Sequence, residues 1–279
     1  MRRVLQIASA LLLVFSLTGC GMTFVYNNLS LLTPWLVDDF ISFNSDQKKA
    51  YQTHLKTLHQ WHRQNELPEY RQLLESILKD LDKDALNTDN FGEHIFQMRR
   101  RWEVLVQQAI PAMTEMALTL SEKQVEELLT KLEKSNQERL KESEDMSFKD
   151  RQRRLLGNIK DWMGKLSDEQ TTLIHDYVTP ENQDARLTVA AHRRFQERLG
   201  EVLKQRQADD FKPQFAAILA DPLDSEEGTA LNEYRRVNFN QRIELYSRLW
   251  VLATDKQKSK VRKKIQGYID DIDTLVAKK

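Results

Sequence analysis

The sequence predicts an all-α protein, and three observations carry that prediction. Apolar residues recur at helical spacing almost throughout. Sustained apolar/polar alternation and β-branched runs are missing. Glycine and proline are scarce, 8 and 6 in 279 residues, while 30% of the chain is charged. That composition suits long surface helices better than many short strands and turns. The expectation is an elongated multi-helix domain with two related helical halves in tandem, residues 44–145 and 146–279.

The chain opens MRRVLQIASALLLVFSLTGC. Arg2 and Arg3 form a basic start, and no charge follows from Val4 to Leu17. Such a run is shorter than the roughly 20 residues a membrane-crossing helix needs. It reads as the apolar region of a cleaved signal peptide over residues 1–19. The residues before the cut, Leu17-Thr18-Gly19-Cys20, resemble the lipobox of bacterial lipoproteins. The resemblance implies cleavage between Gly19 and Cys20, a diacylglycerol on the Cys20 thiol and a palmitate-type acyl chain on the new amino group. A thiolate is the side chain nucleophilic enough to take the glyceryl group as a thioether. Three chains would make an essentially permanent anchor, since two already hold stably. Gly21, rather than Asp, follows the cysteine. By the same resemblance the protein goes to the outer membrane of a Gram-negative bacterium and faces the periplasm.

Cys20 is the one cysteine in the sequence. If it carries lipid, the body has no disulfide, no zinc–cysteine site and no cysteine nucleophile. The chain holds 42 basic and 42 acidic residues. Losing Arg2 and Arg3 with the leader leaves a net charge near −2. A chain so balanced has no bulk attraction to nucleic acid, and no nucleic-acid partner is expected. No stretch after residue 41 approaches transmembrane length.

Residues 20–43 form an apolar segment that cannot be a solvated leash. It carries Phe24, Val25, Tyr26, Leu29, Leu31, Leu32, Trp35, Leu36, Phe40 and Ile41, and that much apolar surface must be covered. It packs on the body as an N-terminal helix, or places Phe24 and Trp35 in the membrane interface, or fills a partner's groove.

Beyond it, Tyr51, Leu55, Leu58 and His62 share one helical face, as do Val125, Leu128, Leu129 and Leu132. Val261, Ile265, Tyr268, Ile272 and Leu275 share another. Prolines at 34, 68, 111, 180, 213 and 222 predict helix starts and breaks. Four helix starts repeat one signature: FNSDQ from 43, LSEKQ from 120, LSDEQ from 166 and ATDKQ from 253. Each is a capping box. Asn44, Ser121, Ser167 and Thr254 accept from the amide three residues on, and Gln47, Gln124, Gln170 and Gln257 bond back to the cap amide. LPEYRQLL from 67 and KPQFAAIL from 212 share Pro, an aromatic at +2 and aliphatics at +5 and +6. Each lies between two boxes. The charged stretch KESEDMSFKDRQRR, 141–154, joins the two halves.

The six histidines are the candidates for metal or acid–base chemistry. His59 and His62, with Glu66, could bind a divalent metal; the bland reading puts His54 and His62 at the edge of an apolar face. No metal, cofactor or catalytic residue is expected, because the Glu/His spacing of di-iron bundles, H-E-x-x-H, G-x-S-x-G and the phosphate-binding glycine loops are all missing. Basic clusters at 99–102, 151–154, 192–194 and 234–236 read as solvated helix faces, or as contacts for lipopolysaccharide phosphates or acidic client segments.

The stretch YNNLSLLTPWLVDDFISFNSDQ, 26–47, followed by WHRQNELPEYRQLL, 61–74, resembles a family of uncharacterised helical lipoproteins of Gram-negative bacteria. The boxes, most clearly Leu120–Gln124 and Leu166–Gln170, are similar to the L-T-x-x-Q motif of the Spy/CpxP periplasmic stress chaperones. The expectation is a membrane-anchored, non-enzymatic lipoprotein that binds or scaffolds envelope proteins. The alternative is a tethered chaperone that holds unfolded clients.

Overall fold

The computed structural model describes residues 20–83, 87–179, 185–221 and 229–277, apart from the side chains of residues 20, 32 and 34–36. The expected signal peptide, residues 1–19, therefore lies outside the described residues, as do the side chains of Cys20 and Trp35. The fold is an elongated all-α assembly with no strand among the described residues.

Two short helices come first, α1 (Cys20–Asn27) and α2 (Leu29–Asp38). Then follow α3 (Ser45–Trp61), one π-turn (His62–Glu66), α4 (Leu67–Asp82), α5 (Thr88–Leu118) and α6 (Glu122–Asp145). The second part runs α7 (Phe148–Met163), α8 (Asp168–Tyr177), α9 (Arg186–Lys204), α10 (Phe211–Ala220), α11 (Ala230–Val251) and α12 (Asp255–Ala277).

Local chemistry accounts for the boundaries. Besides the four boxes, Asn87, Ser147 and Thr229 accept from first-turn amides and so begin α5, α7 and α11. The charged stretch 141–154 is helical on both sides of a break at Met146 and Ser147. Pro213 stands in the first turn of α10, where the missing N–H removes no helical bond, and Pro68 follows directly on the π-turn at the start of α4. Pro111 departs from the expected break: it lies inside the 31-residue α5. It is exposed, so water can satisfy the carbonyl that it leaves without a helical donor. Pro180 and Pro222 lie outside the described residues.

Four apolar clusters hold the helices together. The first joins Ile110 and Ala117 of α5, Val125 of α6, Leu199, Val202 and Leu203 of α9, and Phe211, Phe215 and Leu219 of α10. The second joins Ile159 and Met163 of α7, Ile174 of α8, and Leu245 and Leu249 of α11. The third sets Leu81 of α4 against Trp250, Ile265 and Ile269. The fourth sets Leu67 against Ile272 and Leu275, with Tyr26 and Tyr70 packed on it. Three of the four draw on both sides of the break at residue 146, so the two segments do not bury separate cores.

Helix α7 stops at Gly164, whose φ is +86° and whose amide donates to the Lys160 carbonyl at 2.7 Å. A Cβ is disfavoured in that left-handed region. Gly164→Ala is expected to lose about 1 kcal/mol, read as a lower midpoint of thermal unfolding followed by circular dichroism. An unchanged midpoint would contradict this role.

Candidate functional site

The eight box residues occupy the places the sequence suggested, but they do more than cap. In the first pair, the Asn44 side chain accepts from the Gln47 amide at 2.9 Å, and Gln47 Oε1 accepts from the Asn44 amide at 3.0 Å. Ser121 and Gln124 repeat this at 3.2 and 2.9 Å. The two glutamines then face each other. Gln124 Nε2 donates to Gln47 Oε1 at 2.7 Å, and Gln47 Nε2 donates back to Gln124 Oε1 at 3.1 Å. The second hydrogen of each amide goes to the carbonyl two residues before the partner's cap: Gln47 to Thr119 at 2.8 Å, and Gln124 to Ser42 at 2.9 Å.

The other pair repeats the arrangement bond for bond. Gln170 and Gln257 exchange amide hydrogen bonds at 3.1 and 3.0 Å. Their remaining hydrogens go to the carbonyls of Leu252 and Lys165, at 3.2 and 2.8 Å. These are again the residues two before Thr254 and Ser167. Gln170 is 0% exposed. Each amide thus uses both donors and both acceptor positions, which a buried polar group needs if burial is not to cost several kcal/mol. Sequence reasoning missed this pairing. The available signal was glutamine at all four N3 positions, because a glutamate there would cap equally well but could not donate.

A second polar junction holds the N-terminal segment. Tyr26 of α1 shares a 2.9 Å hydrogen bond with His62 Nδ1 and packs its ring 4.5 Å from that of His59. Arg63 lies over the Tyr26 ring at 5.3 Å, donates to Asn27 Oδ1 at 2.7 Å and reaches the Leu275 carbonyl at 3.2 Å. That carbonyl belongs to the last turn of α12, where a cation is favoured. Part of the segment therefore packs on the body, and Ile41 and Phe43 join the first cluster. Phe24 and Leu31 do not, each being 67% exposed.

The π-turn offsets α3 from α4 at this junction and buries Glu66. Burial raises the Glu66 carboxyl, and Arg101, 3.9 Å away, works in the opposite direction. Burial also drives His62 down to about 4, helped by His59, and lowers His59 itself, helped by Arg63. These are imidazoles kept neutral by packing. Among the described residues no group of three or more His, Cys, Asp or Glu is placed to hold a metal. His54 stands 3.3 Å from Glu115, and His94 is bound to Asp80 at 2.8 Å.

A third feature is a stripe on α5. Met98, Trp102 and Met113 stand four and eleven residues apart, close to one and three turns, and are exposed, Trp102 by 62%. Leu105 and Ala109, half-buried, fill the same face between them. Among the described residues no helix is long and apolar enough to cross a membrane.

The fold and these junctions define an all-α chain whose helix starts are locked in pairs by glutamine amides. The chain belongs to a family of unknown function, DUF6279, whose sequence profile matches residues 39–235. That span takes in the whole of the first glutamine pair and one side of the second. No curated protein and no solved structure matches the chain significantly.

The low His62 value has a sign. The unfolded chain takes up the proton near 6.5 and the folded one only near 4, so this residue favours folding fully above pH 6.5. The contribution is lost as pH falls from 6.5 towards 4. A histidine-resolved NMR titration is expected to place the His62 midpoint near 4; a midpoint near 6.5 would contradict the packing of α1 on that ring.

Proposed function

We propose that the protein is a lipid-anchored helical protein of the outer membrane, facing the periplasm, that binds an envelope protein through the apolar stripe of α5. Its role in this reading is non-catalytic. The observation that carries it is the set Met98, Trp102 and Met113, exposed along one face of the longest helix. Large exposed aromatic and methionine side chains are costly in water and characteristic of protein-binding surfaces. The anchor rests on the lipobox resemblance at Cys20. Phe24 and Leu31, exposed just after it, support contact between this end of the body and the membrane interface.

The alternative is a tethered chaperone. Methionine adapts to varied surfaces, which favours many weak clients over one. The glutamine boxes no longer lend that reading separate support, since their polar groups are spent within the fold.

One experiment separates these readings. A photo-crosslinking amino acid at position 102 in cells is expected to trap one discrete partner; a broad set of clients would move the assignment to the chaperone. No crosslink at 102 above that of a probe on an exposed charged position would overturn both. In the same cells Cys20→Ser is expected to lose its acyl chains by mass spectrometry and leave the membrane fraction, and an acylated, membrane-bound variant would contradict the anchor.

A further inference from the structure

Several arginines here are held in ion pairs. Arg71 bonds Asp273 at 2.7 Å, Arg193 bonds Glu133 at 2.8 Å, and Arg236 bonds Glu233 at 2.7 Å. At one place basic residues meet one another instead. It gathers basic residues from four helices, three of them from basic clusters far apart in sequence.

Helix packing produces the gathering. Helices α6 and α9 run antiparallel: a Cβ on Gly200 would meet Leu129 at 3.0 Å, and Glu133 takes Arg193 further along. Continuing in that register brings Arg139 of α6 level with His192 of α9. Helices α5 and α11 are also antiparallel, since a Cβ on Gly92 would meet Ile243 at 3.2 Å and the Phe91 and Tyr246 rings lie 5.6 Å apart. One turn on, Phe96 and Phe239 come level, both exposed. About one further turn brings Arg99 to Arg235. Beside them Arg100 lines a cavity of about 450 Å³ with Glu103, Gln107 and Ala220.

The groups are linked in sequence, Arg99 to Arg235 and both Arg235 and Arg139 to His192. Burial and Arg99 lower Arg235, with Asp221 acting against them. Burial, Arg139 and Arg235 lower His192. Asp221 opposes them at Arg235, and Glu103 is bonded to Arg99 at 3.2 Å. Arg100, Arg139 and Arg235 form no ion pair among the described residues. Like charges held together favour a bound anion, and guanidinium forks suit phosphate oxygens.

We propose that Arg99, Arg139, His192 and Arg235 form a binding site for a phosphate group, with Phe96 and Phe239 beside it to receive the apolar part of a phosphorylated amphiphile. The site lies on a different face of α5 from the Met98–Trp102 stripe and does not depend on that stripe's role. Arg99 stays on Glu103 until the anion arrives; Arg139 and Arg235 are the cations that meet it first.

The test uses the full chain in uncharged detergent, with inorganic phosphate as the probe and sodium chloride at matched ionic strength as the control. Phosphate is expected to bind saturably by calorimetry and to shift the His192 ring resonances, where chloride does neither. Arg139→Gln and Arg235→Gln are each expected to weaken binding about tenfold, the loss of one charge-assisted contact. Neither substitution orphans an ion-pair partner among the described residues. Arg139→Lys and Arg235→Lys, which keep the charge without the fork, should bind between wild type and the glutamine variants. Dihexanoyl phosphatidic acid distinguishes the sources. Binding at least tenfold tighter than inorganic phosphate, lost in Phe239→Ala, assigns a lipid headgroup, whereas equal binding assigns a free phosphate. Phosphate binding no different from chloride, or undiminished in both glutamine variants, would overturn the site.

Discussion

A primary amide can donate twice and accept twice, and four glutamines in this chain use all of that capacity. Each closes its own helix start, bonds the glutamine of a second helix start, and ties down the carbonyl that leads into it. One pair joins the starts of α3 and α6, and the other joins those of α8 and α12. Residues distant in sequence are thereby fixed end to end, and the direction in which each helix leaves its start is set. The apolar clusters follow from those directions. Phe43 and Leu120, the residues before two of the caps, pack in the first cluster, while Leu166 and Ala253 pack in the second. Each glutamine pair therefore sits on its own apolar floor, and the second pair is buried outright, which raises the cost of leaving either of its amides unmet.

With the starts fixed, the remaining elements are arranged across the chain rather than within each segment. Helix α4 lies against α12, and α9 against α6, so contacts across the break at residue 146 bind the two segments into one body. The N-terminal helix is added to this body through Tyr26, His62 and Arg63, at the end of α12. A chain tied to a membrane at Cys20 would be held through that junction, close to the surface rather than on a long tether.

Helix class, helix starts and most of the buried faces are legible in the sequence because they are local. Spacing of 3.6 residues marks Ile265, Tyr268, Ile272 and Leu275 as a buried face, and they are buried. A cap residue and its N3 partner are three positions apart, so the boxes can be read directly. What escapes is whatever depends on two distant segments. The glutamine pairs span 77 and 87 residues, and no periodicity reports such a contact. Pro111 breaks no helix because an exposed proline within a long helix is tolerated when tertiary packing holds both sides. The His59–His62 pair has the spacing of half a metal site; the partner its geometry actually requires is Tyr26, 36 residues before His62. Basic clusters that look separate along the chain, at 99–102, 192–194 and 234–236, come together only through helix packing.

Whether the glutamines act in pairs is measured most directly by a double-mutant cycle on Gln170 and Gln257, with stability read from urea unfolding of wild type, each alanine variant and the double variant. If the amides hold one another, the double variant loses less than the two singles together, by about 1 kcal/mol or more, because the first substitution has already left the partner unpaired. Losses that simply add would mean four independent helix caps, and would contradict the claim that paired helix starts organise the fold.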